Sequence, residues 1–173
     1  MIVNASPLII LGKLNKIGIL RKIYRTIEIT KEVYNEVVLK GIEKNSKDAF
    51  IIKENIENKT IKVFELGDKF YNIGNKIQTI YNLDLGEAET IALALQLSKK
   101  EIIIDEVSAR EAAKAFGIKP IGSLGVLLIA YKDNLISKRE VHELINEMEN
   151  SKYRFSPKVL IEFWSLFERI KKE

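Results

Sequence analysis

Short runs of consecutive apolar residues alternate along this chain with longer stretches whose apolar positions recur every three or four residues. The first pattern reads as buried strands and the second as helices packed by one face. Met1-Ile2-Val3 is the first strand, and Ser6-Pro7 supplies an N-cap and an N1 proline for a helix starting with Leu8. A second strand covers Thr26 to Ile29. Thr30 then caps a helix with Val33, Tyr34, Val37 and Val38 on one stripe, which Gly41 is placed to end. A helix over 46–58 leads to a strand from Ile61 to Phe64, and 68–82 is predicted helical. Asp84-Leu-Gly-Glu87 has the form of a capping box ahead of an apolar helix from Ala88 to Leu97. Ile102-Ile103-Ile104 is the clearest strand and runs into Asp105-Glu106. Ser108-Ala-Arg-Glu111 is a second capping box, whose helix Gly117 can close. Ile118 to Gly122 is the last strand. Ser123 opens a helix to about Asp133, Ser137-Lys-Arg-Glu140 opens another, and Ser156-Pro157 opens the last, which carries Leu160, Phe163, Trp164 and Phe167.

Alternating strands and helices predict an α/β fold, with about five short parallel strands in one sheet covered by helices on both faces. The 173 residues suit a single domain. It is read as a core over 1–134 with C-terminal helices over 137–173, with no internal repeat or linker between them. A hydrophobic fraction of 46% and a charged fraction of 30% describe a folded chain. With no cysteine, thiol nucleophiles, disulfides and thiolate metal sites are excluded. With His142 as the one histidine, a histidine-based zinc site and a Ser-His-Asp triad are disfavoured. No run reaches the ~20 apolar residues of a membrane span, and the N-terminus lacks the basic region of a signal peptide. The expectation is therefore a cytoplasmic protein with no membrane partner. Abundant Ile, Lys and Glu without Cys fits a heat-adapted source. The net charge of +4 permits nucleic-acid binding. The lysines, however, are spread as on a solvated surface, with short clusters at Lys99-Lys100 and Lys171-Lys172.

In open α/β sheets, ligands bind beyond the carboxyl ends of the strands. Asn4 follows the first strand, Asp105 and Glu106 the fourth, and Gly122-Ser123 the fifth. Glu36 lies within an apolar helical stripe and Glu87 in a first helical turn. Carboxylates that converge from distant segments are stabilised by a cation such as Mg²⁺ or Mn²⁺, and such a site suits phosphodiester hydrolysis. Each residue also has a structural reading. Glu87 is a capping partner, Glu36 an exposed helix former, Asp105 a cap and Asn4 a turn residue. Ser6 and Ser123 are N-caps, and Arg110 belongs to a surface ion pair. His142 faces solvent, and Trp164 is core or interface.

Taken together, Val3-Asn-Ala-Ser-Pro-Leu-Ile9, Glu32-Val-Tyr-Asn-Glu-Val37, Leu85-Gly-Glu-Ala-Glu-Thr-Ile-Ala-Leu-Ala94, Ile103-Ile-Asp-Glu106 with Ala109-Arg110, and Gly122-Ser-Leu-Gly-Val-Leu127 resemble the PIN-domain family. The likeness is closest to a PIN-like subfamily of small prokaryotic proteins related to toxins of toxin–antitoxin pairs. The resemblance implies a three-layer α/β/α fold with strand order 3-2-1-4-5. It also implies a Mg²⁺- or Mn²⁺-dependent endoribonuclease acting on single-stranded RNA, a homodimer and an antitoxin partner. By position it implies Glu36, Glu87 and Asp105 as catalytic acids that bind the metal with Asn4, Glu106 as an auxiliary ligand and Ser6 as a supporting hydroxyl. Lys13, Arg110 and Lys132 are the candidate phosphate contacts. The first acidic position of active PIN nucleases is an aspartate, and here it is Asn4. This amide can ligate a cation but brings no charge. That departure motivates an alternative, a catalytically weak or inactive PIN-like regulator that binds RNA or protein.

Overall fold

The computed structural model describes residues 1–151 and 153–170, so the Lys171-Lys172 cluster lies outside the described residues. Five parallel strands, β1 (Ile2–Val3), β2 (Ile27–Thr30), β3 (Ile61–Phe64), β4 (Glu101–Ile103) and β5 (Lys119–Ile121), form one sheet in the order β3-β2-β1-β4-β5. The order reverses between β1 and β4, whose registers pair Ile2 with Ile102 and Val3 with Ile103. Successive side chains of a strand point to opposite faces. Val3, Ile27, Ile29, Ile103 and Ile121 accordingly enter one apolar core, and Ile2, Ile102 and Ile104 enter the other. Near-continuous apolar strands are what a sheet buried on both faces requires.

On the face of Val3 and Ile103 lie α1 (Ala5–Lys13), α2 (Ile17–Tyr24), α5 (Lys47–Glu57) and α9 (Ser123–Lys132). The C-terminal helices α10 (Lys138–Asn150) and α11 (Pro157–Arg169) add Val141, Leu144, Met148, Phe163 and Phe167 to the same core. The other face carries α6 (Asp68–Tyr81), α7 (Leu85–Gln96) and α8 (Val107–Ala115). This is the three-layer α/β/α arrangement with strand order 3-2-1-4-5. Among the described residues, no helix is long and apolar enough to cross a membrane.

Four local expectations are corrected. The first helix starts at Ala5 rather than Leu8, with Asn4 and not Ser6 as its N-cap. Pro7 is accommodated because the first-turn N–H groups have no intrahelical partner. Gly41 does not end its helix. After α3 (Lys31–Tyr34), the chain widens into a π-helical turn, Asn35–Leu39, and continues through α4 (Lys40–Glu43). A Cβ on Gly41 would stand 2.6 Å from the Cβ of Ala49, so glycine is required there for close packing on α5. The left-handed residue that ends the helix is Asn45, at φ 52°. Helix α8 begins at Val107 behind Glu106, which displaces the Ser108 capping box. Gly122, not Ser123, is the N-cap of α9. The capping boxes at Asp84/Glu87 and Ser137/Glu140, and the Thr30 and Ser156 caps, form as expected.

Candidate functional site at the carboxyl ends of the strands

At the reversal point, β1 leads directly into Asn4, whose backbone N–H donates to the Ile103 carbonyl at 2.9 Å. Asn4 is extended and only 4% exposed. Its side chain does not cap α1. Instead its Oδ1 lies 3.4 Å from the Thr90 hydroxyl, whose one proton is donated to the Gly86 carbonyl at 2.6 Å. The Asn4 amide is thus drawn across the crevice toward α7.

Glu36 approaches the same point from the π-helical turn. Wide turns of this kind recur at functional sites because they re-aim side chains. Gly86 marks the convergence: a Cβ built there would lie 3.4 Å from Glu36 Oε2 and 3.9 Å from Asn4 Oδ1. Partial burial pushes the Glu36 carboxyl above the ordinary range. Lys40 pulls it down, and Asp84 and Glu32 raise it further. The functional and structural readings of Glu36 therefore separate here, because the side chain is half-buried rather than exposed.

Glu87 keeps its structural role. Its Oε2 accepts from the Asp84 N–H at 3.1 Å within the capping box. Its carboxyl is nevertheless raised, first by burial and then by the charges of Asp84, Glu106 and Glu36, against the pull of the Asp84 N–H. Neighbouring acids thus bear on Glu87 and Glu36 alike. In both, the folded-state pKa is raised. The associated stability is present at acid pH and is lost as pH rises through the carboxylate range.

Asp105 follows β4 but is turned toward α9. Its Oδ1 accepts from the Ser123 N–H at 2.7 Å and its Oδ2 from the Ser123 hydroxyl at 2.5 Å. The Tyr153 hydroxyl also donates to Oδ2. Burial raises the Tyr153 phenol strongly, and the Asp105 charge adds to that, so the phenol stays protonated and acts as a donor. A carboxylate at the N-terminus of α9 is also favoured by the helix dipole. Asp105 is therefore not the cap of its own following helix.

Glu106 is the N-cap position of α8, is exposed, and makes no side-chain cap. Ser6 is exposed in the first turn of α1, not at its N-cap. Lys13 lines a groove of about 590 Å³ together with Glu36, Lys40, Lys44, Asp48 and Asp84, so it lies near the crevice. Among the described residues Arg110 forms no ion pair. Its Nη1 donates to the Ile104 carbonyl at 3.1 Å, and a Cβ on Gly122 would stand 3.2 Å from that nitrogen and 3.1 Å from Asp105 Oδ1. Lys132 lies at the far end of α9 from Ser123, about 13 Å along the axis, and is not gathered with the others. His142 is exposed and stacks on Trp164 with ring centroids 4.5 Å apart.

Oxygen donors of this kind suit Mg²⁺ or Mn²⁺. In the arrangement described, however, the set does not fit one ion. Asn4 and Glu36 converge, Glu87 has one oxygen on the Asp84 N–H, and Asp105 is held by Ser123 and Tyr153. Among the described residues, no three acids or histidines stand together as a metal-holding group. Thr90 and Tyr153 are polar partners that sequence reading did not assign, and Ser123, read as an N-cap, instead holds Asp105. Thr90 was visible only as one more residue of an apolar helix, and Tyr153 lies 48 positions from the acid it bonds.

A family model described as a PIN domain matches residues 1–169. No curated protein matches the chain.

Proposed function

Because the chain belongs to the PIN-domain family, a nuclease-type fold whose members generally use divalent metal ions, we propose that it is an endoribonuclease acting on single-stranded RNA. The observation that carries this reading is the convergence of Asn4 Oδ1 and Glu36 Oε2 on Gly86, at the β1–β4 reversal. That is where a parallel sheet binds its ligands. In this reading Glu36, Glu87 and Asp105 are the catalytic acids. With Asn4 they are the donors for Mg²⁺ or Mn²⁺, and Glu106 is auxiliary. Ser6 supports the first donor, and Lys13 and Arg110 contact phosphate. Lys132, at the far end of α9, is the weakest of the phosphate candidates on geometry. A toxin role, with an antitoxin and a homodimeric state, belongs to the same proposal.

The test is cleavage of an unstructured RNA with Mn²⁺ by the natural chain and by Asp105→Asn. Loss of an essential acid should lower the rate by about 100-fold or more. Equal rates, or no cleavage by either protein, contradict the proposal.

One observation favours a second reading. Asn4 brings no charge where a cation site gains affinity from charge, and Asp105 has its oxygens engaged. A PIN-like regulator that binds RNA or protein without cutting it would retain RNA binding in Asp105→Asn and show no Mn²⁺-dependent cleavage.

A further inference from the structure

Two helices leave the strand ends beside the candidate site. α1 starts after β1, with Asn4 as its N-cap, and α3 starts after β2, the neighbour of β1 in the sheet. The second continues through the π-helical turn into α4, with Lys44 as its C-cap. The groove of about 590 Å³ is lined by Ile9 and Lys13 of the first helix and by Glu32, Glu36, Lys40 and Lys44 of the second.

Residues 32, 36, 40 and 44 are spaced four apart, which puts them on one side of their helix. The charge changes sign along that side, from acids to lysines. At the strand ends stand Glu36 and Asp84, where the Asp84 charge raises the Glu36 carboxyl. Midway, Lys40 lies 3.8 Å from Glu32 and is paired with it. At the far end stand Lys44, about 12 Å from Glu36 along the helix axis, and Lys13, about 13 Å from Asn4 along α1. Both are exposed, and among the described residues neither forms an ion pair. The acid at that end, Asp48, is 4% exposed and accepts from the Ser46 hydroxyl. Two cations without partners therefore mark the end of the groove farthest from Glu36 and Asp84.

Lysines without carboxylate partners, placed along a groove, suit the phosphates of a nucleic-acid strand. None of the residues lining this groove is aromatic, so it offers bases no ring to stack on and takes a strand by its backbone. Bounded by two helices, it admits one strand and not a duplex. We propose that this groove is the track for one flank of an unpaired RNA strand, whose phosphates Lys13 and Lys44 hold. The scissile bond lies at the acidic end, and the flank a few nucleotides away lies at the basic end. The proposal rests on the nuclease reading for the position of the scissile bond, but not for the binding that tests it.

The experiment is fluorescence-anisotropy binding of a short labelled oligouridine to the full chain, in EDTA and at several salt concentrations. The natural chain, Lys13→Gln/Lys44→Gln and Lys100→Gln/Lys119→Gln are compared. Lys100 and Lys119 lie at the opposite, amino-terminal edge of the sheet, so the second variant removes the same charge far from the groove. All four lysines are exposed, so both variants retain the fold. Lys13→Gln/Lys44→Gln is expected to bind about tenfold more weakly at low salt, equally for oligouridine and oligoadenosine. Its slope of log affinity against log salt should flatten by about 1.4, at about 0.7 for each phosphate contact to a single strand. The control variant is expected to match the natural chain. Unchanged affinity and slope in Lys13→Gln/Lys44→Gln, an equal loss in the control variant, or no binding by the natural chain overturns the track. So does equally tight binding of the oligouridine annealed to oligoadenosine. RNA cleavage keeps the two readings apart. Asp105-dependent cleavage, with binding indifferent to Lys13 and Lys44, removes the track and leaves the nuclease. Binding that needs both lysines, without Asp105-dependent cleavage, keeps the track and removes the nuclease.

Discussion

Asn4→Asp is expected to bind Mn²⁺ about tenfold more tightly than the natural chain, and to lose stability when no divalent ion is present. Both effects come from one buried charge. Asn4 is 4% exposed and faces the Thr90 hydroxyl, with Glu36 on the same glycine. A carboxylate there keeps the approach to Thr90 and replaces a neutral donor with a charged one, which hard divalent ions favour. Without the ion, it adds a buried charge beside Glu36, whose carboxyl burial already pushes up. A penalty of about 1–3 kcal/mol is the usual scale for an unpaired buried group, or about 2–10 °C in melting temperature for a chain of this size. The sign with pH follows from the raised folded-state pKa. The loss should be small at acid pH, where the new carboxyl is protonated, and should grow as pH rises through the carboxylate range. Thermal melts at several pH values with and without Mn²⁺ read both arms. An affinity equal to that of the natural chain would remove position 4 from the ligand set.

Phe167→Ala carries the largest expected stability effect, about 3–5 kcal/mol, or about 6–20 °C in melting temperature. Phe167 is 2% exposed, and its ring lies 4.4 Å from Tyr131 of α9, with Trp164, Phe163 and His142 around it. Removing the ring leaves a cavity between α11 and α9 that neither backbone can close alone. Phe167 shares one apolar cluster with Val3 and Ile103 of the sheet. Unfolding is therefore expected to remain a single transition, shifted down, when followed by calorimetry. Two separated transitions would mean that the helices after residue 137 form a unit of their own.

The strands were legible where a sheet buried on both faces demands a continuous apolar run, as at Ile102–Ile104, while the edge strand Ile61–Phe64 is apolar except for exposed Lys62. The order β3-β2-β1-β4-β5 came from the family likeness, since nothing in the periodicity of separate strands states how they pair. Helix starts were read correctly where a hydroxyl or carboxylate caps its own first turn, as at Thr30, Asp84, Ser137 and Ser156. They were misread at Ser6, Ser108 and Ser123, where a nearer extended residue takes the N-cap place. Two of those errors fall at the strand ends. At Asn4 and Ser123 the side chain is committed to a partner from a distant segment, Thr90 or Asp105, rather than to its own helix. Local capping rules cannot see such a commitment. Gly41 misled for a similar reason, since its use is the approach of Ala49 and not a turn. The candidate acids were found from their places after strands and in the family pattern. Their mutual arrangement depends on the π-helical turn at Asn35–Leu39 and on Tyr153, neither of which has a signature in the local sequence.

The central claim is that the strand ends at the β1–β4 reversal, where Asn4 and Glu36 converge, are the working site of a metal-dependent nuclease. Crystals of the full chain soaked in Mn²⁺ and measured for anomalous scattering test it most directly. The account predicts an anomalous peak at the β1–β4 reversal beside Asn4 and Glu36. No peak there at saturating Mn²⁺ would contradict it.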